Sequence, residues 1–218
     1  MSSPELKYCG IHSLNDLKLT SSANATYLGF IFAPSRRKVD PSEVSSWLKD
    51  VADHSKKLVG VFVNPSISEN EEVLGALKLD VIQLHGEETV EEIKSVREHF
   101  HIPIWKALHH TPKTTLLMEK FHNVVDGFVI DSRVGGQRGG TGVTFDWSHI
   151  PVYLKLAKKY QKKCFIAGGI TPENVQHLLS YEVTGIDLSS GIEEKNSKSL
   201  PKIQQLEERL MNHVHISR

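Results

Sequence analysis

Asp131 stands eight residues before the run Gly139-Gly140-Thr141-Gly142, and the apolar segment Gly127-Phe128-Val129-Ile130 leads straight into it. This order predicts a strand that ends on a carboxylate, followed by a loop that closes in a glycine-rich turn. Glycines let backbone N–H groups approach an anion without side-chain obstruction. A carboxylate beside a phosphate cradle is suited to proton transfer on a sugar phosphate. A second pair of reactive groups lies near the start of the chain, where Lys7 precedes Cys9 by two residues. An ammonium close to a cysteine favours its thiolate. An inert buried thiol is the competing reading for Cys9.

The elements that must hold these groups alternate regularly. Short apolar runs occupy residues 6–9, 26–33, 58–64, 80–86, 103–108, 127–131, 163–168 and 185–191, with polar, helix-compatible segments between them. Ser13 is a candidate N-cap for the first helix, and Asp40 followed by Pro41 for the second. The third helix is expected at 70–79 and the fourth at 89–100, where Thr89 and Glu92 have capping-box spacing. Helices follow at 112–122 and at 147–161, the latter interrupted by Pro151. Thr171-Pro172 opens a seventh, with Thr171 as cap, and 199–214 gives the last. Eight strands alternating with eight helices imply parallel pairing and right-handed crossovers. The expected fold is an α/β protein built as one (β/α)₈ TIM barrel, a single catalytic domain over residues 1–218. An open doubly wound sheet is the alternative. It usually carries GxGxxG after its first strand, where this chain reads Cys9-Gly10-Ile11-His12-Ser13.

Side chains alternate along a strand. Lys7 shares a face with Cys9, Gln83 with His85, Val129 with Asp131, and Asp187 with Ser189. Turning these residues into the barrel leaves Ile82, Leu84, Ile186 and Leu188 for the helix ring. Polar groups in a packed interior cost free energy unless paired, so their convergence near strand ends points to a site. Lys7 and Asp187 lie on the first and last strands, which adjoin when the barrel closes, and an ion pair between them is expected. Cys9 ends its strand and Cys164 begins another, so they belong to opposite ends of the barrel and no disulfide is expected.

Composition narrows the function. Lys+Arg and Asp+Glu are equal at 26 each, which provides no global field for nucleic acid. The first residues lack the basic and apolar regions of a secretory leader, and no apolar run approaches a membrane span. Two cysteines form no disulfide framework, so a reducing, cytoplasmic location is expected. The 12 histidines show no HxxxH or HExxH spacing, and no metal or other cofactor is expected. No unpaired apolar stripe identifies an oligomer interface, which leaves the oligomeric state open.

The motifs, taken in order, are similar to those of the phosphoribosylanthranilate isomerase family. They are Lys7-Tyr8-Cys9-Gly10, Gly29-Phe30-Ile31-Phe32 leading to Ser35-Arg36-Arg37, Val59-Gly60-Val61-Phe62-Val63-Asn64, and Val81-Ile82-Gln83-Leu84-His85-Gly86-Glu87. The C-terminal half adds Asp131, Gly139-Gly140-Thr141-Gly142, Ala167-Gly168-Gly169-Ile170-Thr171-Pro172, and Gly185-Ile186-Asp187-Leu188-Ser189-Ser190-Gly191-Ile192-Glu193. The resemblance implies an Amadori rearrangement, with Cys9 as general base and Asp131 as general acid. It further implies that Arg37 meets the anthranilate carboxylate. Lys7, Gln83, His85 and Asp187 would line the substrate site. The phosphate would rest among Gly140, Gly142, Gly168, Gly169, Ser189, Ser190 and Gly191. The expected partner is thus a small phosphosugar, with neither nucleic acid nor membrane involved. Two departures stand out. Tyr8 replaces a more usual aliphatic residue and should point toward the helices. The family's Gly-x-Lys-Asp run reads Asn196-Ser197-Lys198-Ser199, keeping the lysine and losing the aspartate. Other phosphosugar-processing or phosphate-binding barrels are the alternative reading.

Overall fold

The computed structural model describes residues 3–51, 55–132 and 144–216. Its centre is a closed barrel of eight parallel strands in sequential order: β1 (Glu5–Cys9), β2 (Tyr27–Ile31), β3 (Lys57–Phe62), β4 (Val81–Leu84), β5 (Ile104–His109), β6 (Gly127–Asp131), β7 (Lys163–Ala167) and β8 (Gly185–Leu188). Closure is made by β1 against β8, in a register that sets Lys7 beside Asp187. The helices α1 (Leu14–Ser21), α2 (Pro41–Asp50), α3 (Ile67–Ala76), α4 (Val90–Phe100), α5 (Thr114–Phe121), α6 (Ile150–Lys159), α7 (Val175–Leu179) and α8 (Leu200–Ile216) alternate with the strands. A two-stranded antiparallel hairpin, β9 (Glu193–Glu194) with β10 (Ser197–Lys198), follows β8. Among the described residues, no helix is long and apolar enough to cross a membrane.

Local signals explain most of the helix starts. The Ser13 side chain accepts from Asp16 N–H, that of Asp40 from Ser42 N–H, and Thr89 and Glu92 form a complete capping box. The third helix begins earlier than the hydrophobic pattern predicts, because Ser66 and Glu69 form a second capping box. Pro151 does not interrupt the sixth helix. It occupies the first turn of α6, where no N–H is needed, and a 3₁₀ turn over Trp147–His149 precedes it. The seventh helix starts later than expected, after Asn174, and Thr171 caps the turn that leads into it: its Oγ1 accepts from Glu173 N–H at 3.3 Å and its own N–H donates to Asn174 Oδ1. The last strand ends at Leu188, ahead of a 3₁₀ turn over Ser190–Ile192.

Two apolar layers follow from strand alternation. Outward residues such as Leu28, Ile82, Leu84, Phe128, Ile130, Ile186 and Leu188 pack against the helices. Tyr8 belongs to this layer, and its hydroxyl donates to Glu207 on α8 at 3.1 Å. Cys164 is also here, and burial pushes its thiol up to about 12. Inward residues Tyr27, Val59, Val81, Trp105, Ala107, Val129, Phe165 and Ala167 fill the barrel. Trp105 stacks on Phe165 at 4.7 Å, and Tyr27 meets Trp105 edge-on at 4.9 Å. Val59, Val81, Val129 and Phe165 each contribute about 1.5–3 kcal/mol through burial. This aromatic plug leaves the polar inward residues to the opposite, C-terminal end of the strands.

Candidate active site

Lys7 comes first above the plug. It is fully buried, and its Nζ donates to both carboxylate oxygens of Asp187, at 3.0 and 2.9 Å. Burial alone would lower the Lys7 pKa, but Asp187 and Cys9 outweigh it and the pKa is raised. Lys7 is therefore a fixed cation. Cys9 ends β1 one pleat higher, buried, and in contact with the Lys7 ammonium. Burial pushes the Cys9 thiol above its ordinary value, while Lys7 and Lys198 pull against that shift. The expectation that Lys7 lowers this thiol thus holds for the direction of its own effect and not for the net result. Desolvation of a thiolate in a packed wall is the larger quantity. Gly29 on β2 leaves room for this pair. A methyl group there would lie 2.8 Å from Cys9 Sγ and 3.1 Å from Lys7 Nζ. Substituting Gly29 with Ala is expected to impair turnover more than folding, checked by comparing kcat with the urea midpoint.

Asp131 ends β6, three strands from β1 around the barrel, and its side chain is 19% exposed. His85, just beyond β4, brings Nε2 to 3.5 Å from Asp131 Oδ2. Gln83 is buried beneath His85, with Nε2 3.5 Å from its Nδ1. The loop that carries His85 is anchored from the helix side. Lys106 Nζ donates to the carbonyls of Leu84, Gly86 and Ala107 and pairs with Glu88 at 2.9 Å. Gly168 takes φ +84°, and a methyl group there would lie 2.6 Å from Asp131 Oδ1 and closer still to Ser132. Only glycine fits both that backbone and that gap. The turn after β7 is therefore pressed against the β6 carboxylate.

The remaining glycines and serines of the rim lie on two touching loops. Gly169, with φ +64°, is held through its carbonyl by Asn174 Nδ2 at 2.9 Å. Gly191 packs against the Ile170 carbonyl so closely that a methyl group would sit 1.7 Å from its oxygen. Gly168, Gly169, Ser189, Ser190 and Gly191 thus form one continuous edge. Gly140 and Gly142 lie outside the described residues.

Arg37 is 7% exposed, and its Nε and Nη2 make parallel bonds of 2.8 and 2.6 Å to Glu193. Its neighbour Arg36 is 52% exposed and reaches Asn196 at 2.8 Å. Glu193 keeps a lowered pKa despite burial, because Arg37 and Lys198 surround it. Lys198 is the residue whose importance the sequence left least visible. Its buried Nζ donates to the Cys9 carbonyl at 2.7 Å, the Ser189 carbonyl at 3.2 Å and Glu193 at 2.9 Å. Its N–H donates to Asp16 at 2.9 Å. One lysine therefore ties the end of β1 to the end of β8 and to the hairpin, without the aspartate that usually follows it. Asp16 carried no motif signal of its own, and the motif that ends on Glu193 did not announce what that carboxylate meets. Their partners come from residues 156 and 182 positions away.

Comparison with known proteins points one way. The model of the family described as N-(5'phosphoribosyl)anthranilate (PRA) isomerase matches residues 6–209. The N-(5'-phosphoribosyl)anthranilate isomerase of Bacillus licheniformis is 51% identical over 217 residues, covering 100% of both chains. The crystal structure of phosphoribosyl anthranilate isomerase from Thermotoga maritima superposes with a TM-score of 0.80 at 27% identity, covering 96% of this chain and 99% of that one. A further structure, of such an isomerase with reduced 1-(o-carboxyphenylamino)-1-deoxyribulose 5-phosphate bound, gives a TM-score of 0.77 at 27% identity, with the same coverage.

Proposed function

The chain belongs to the N-(5'-phosphoribosyl)anthranilate isomerase family, and from that premise we propose that Cys9 and Asp131 divide the proton transfers of its reaction. The reaction is the Amadori rearrangement of N-(5-phosphoribosyl)anthranilate to 1-(2-carboxyphenylamino)-1-deoxyribulose 5-phosphate, an aldose–ketose isomerisation in tryptophan biosynthesis. The observation that carries the assignment is the position of a buried thiol and a solvent-reachable carboxyl at the C-terminal ends of β1 and β6, across one barrel mouth.

Asp131 protonates the furanose ring oxygen, and the ring opens to a protonated imine. Cys9 then takes the proton from C2, and the enolamine so formed tautomerises to the ketone. The two groups must begin in opposite protonation states. The Lys7 ammonium stabilises a thiolate at Cys9 and is itself held by Asp187. His85, positioned by Gln83, contacts Asp131 and orients its carboxyl. The edge formed by Gly168, Gly169, Ser189, Ser190 and Gly191 receives the phosphate, and Gly140 and Gly142 are assigned to it on the sequence motif alone. The catalytic unit is the single barrel domain over residues 1–218. The free cysteines suit a reducing cytoplasm.

Arg37 recognises the substrate's aryl carboxylate. A guanidinium carries five N–H donors, and Glu193 takes two of Arg37's, so the edge formed by Nη1 and the second hydrogen of Nη2 can take a carboxylate. Arg37→Ala is expected to raise KM more than Arg36→Ala does, and Arg37→Lys to restore little of the loss because an ammonium cannot form the fork. Equal effects at the two positions would overturn the assignment.

The direct test of function is whether the purified protein depletes enzymatically generated phosphoribosylanthranilate, followed by fluorescence. An alkylating reagent should inactivate the enzyme through Cys9 alone, and a product analogue should protect it. Peptide mapping that finds Cys164 modified at the rate of inactivation would refute this, since Cys164 lies in the outer apolar layer with its thiol held neutral.

A further inference from the structure

Three adjacent strands, β4, β5 and β6, deliver His85, His109 and Asp131 to one arc of the rim. One ligand atom from each lies within 4.8 Å of the other two. Histidine spacing along the chain gives no sign of this cluster, because its members come from separate strand ends. We propose that these three residues form a binding site for a divalent transition cation of the Zn²⁺ type, and that the cation blocks turnover. The second part rests on Asp131 being the general acid.

Geometry supports the site. Zinc bound at about 2.0–2.1 Å in tetrahedral geometry sets its ligand atoms roughly 3.3 Å apart. His85 Nε2 and Asp131 Oδ2 are already 3.5 Å apart. The two imidazole rings lie 5.6 Å apart between centroids, tilted by 46°, so that neither stacks flat on the other. Since no pair is more than 4.8 Å apart, a closure of at most about 1.5 Å brings the set to that spacing. Two imidazoles and one carboxylate are a donor set for zinc, leaving a fourth position for water, and they disfavour Mg²⁺ and Ca²⁺, which prefer oxygen. All three residues are partly exposed, so the site is open to solvent.

Gln83 provides an independent observation. It is 1% exposed, and its Oε1 has no hydrogen-bond partner among the described residues, while its Nε2 faces His85 Nδ1. Turning the amide about its last bond sets Oε1 against Nδ1–H. That hydrogen bond places the imidazole proton on Nδ1 and presents the Nε2 lone pair to the cation, the usual outer support of a histidine metal ligand. A carboxylate oxygen coordinated to zinc cannot carry the proton that ring opening requires.

The test uses chelator-treated full-length protein. Calorimetric titration with Zn²⁺ should show one site per chain, and Mg²⁺ should show none. Co²⁺ should give the visible absorption of a low-coordinate nitrogen–oxygen site without a thiolate charge-transfer band, which separates this site from Cys9. His109→Asn should weaken Zn²⁺ binding by at least about 10–100-fold, the range seen for loss of even a supporting partner. The same variant should keep metal-free activity and lose inhibition by Zn²⁺. Unchanged Zn²⁺ affinity in His109→Asn, a thiolate band with Co²⁺, or full turnover at saturating Zn²⁺ would each overturn the proposal. Inactivity of the metal-free wild type would instead count against the isomerase mechanism, and the binding measurements do not depend on it.

Discussion

Asp131→Asn and Cys9→Ala are each expected to lower kcat by about 10²–10⁴-fold, the usual cost of removing a general acid or base. An amide keeps the shape of Asp131 and its place between His85 and Gly168, but it cannot supply the proton to the ring oxygen. Product-analogue affinity should stay largely intact in both variants, which separates lost chemistry from lost binding. Cys9→Ser should be nearly as damaging as Cys9→Ala, because a hydroxyl yields little anion in a site that already pushes the thiol upward by burial. The same raised thiol predicts a pH dependence. The base must be thiolate while Asp131 is protonated, so between the two pKa values the gain in one form offsets the loss of the other: kcat/KM should form a plateau there and fall on both sides. A profile that falls on neither side, or full activity in Cys9→Ala, would refute the assignment.

Lys7→Met should destabilise the protein by about 3–5 kcal/mol, because it strands the Asp187 carboxylate in the barrel interior without its cation. The Asp187→Leu change made together with it should recover much of that loss, as two apolar groups leave no charge uncompensated. Neutralising Glu5, which pairs with half-exposed Lys163 at the other end of the barrel, should cost less than about 1 kcal/mol. Urea denaturation of these variants measures all three. A Lys7→Met protein as stable as the Glu5 variant would show that the Lys7–Asp187 pair makes no such contribution. Activity offers a separate readout. Loss of the ammonium beside Cys9 should depress kcat in the double variant even where stability returns, because Lys7 opposes the upward shift of the thiol.

What the sequence determined by itself was the alternation. Eight apolar runs, each near its final position, and the period-two pattern within them were enough to name the barrel and to turn Lys7, Cys9, Gln83, His85, Asp131 and Asp187 toward its axis. Both follow from local physics, since strand pleat and N-cap chemistry act over a few residues. Helix boundaries were less secure where two local signals competed, as at Ser66 and Pro151. The tertiary structure decided what each inward group meets. Barrel closure, not spacing, brought Lys198 to Cys9 and Glu193 to Arg37, and it gathered His109 with His85 and Asp131. It also decided the balance at Cys9. The lysine two residues away was visible in the chain, but the burial that outweighs it is a property of the closed wall. Charge pairing between neighbours can be read from a list of residues, whereas desolvation depends on everything packed around them.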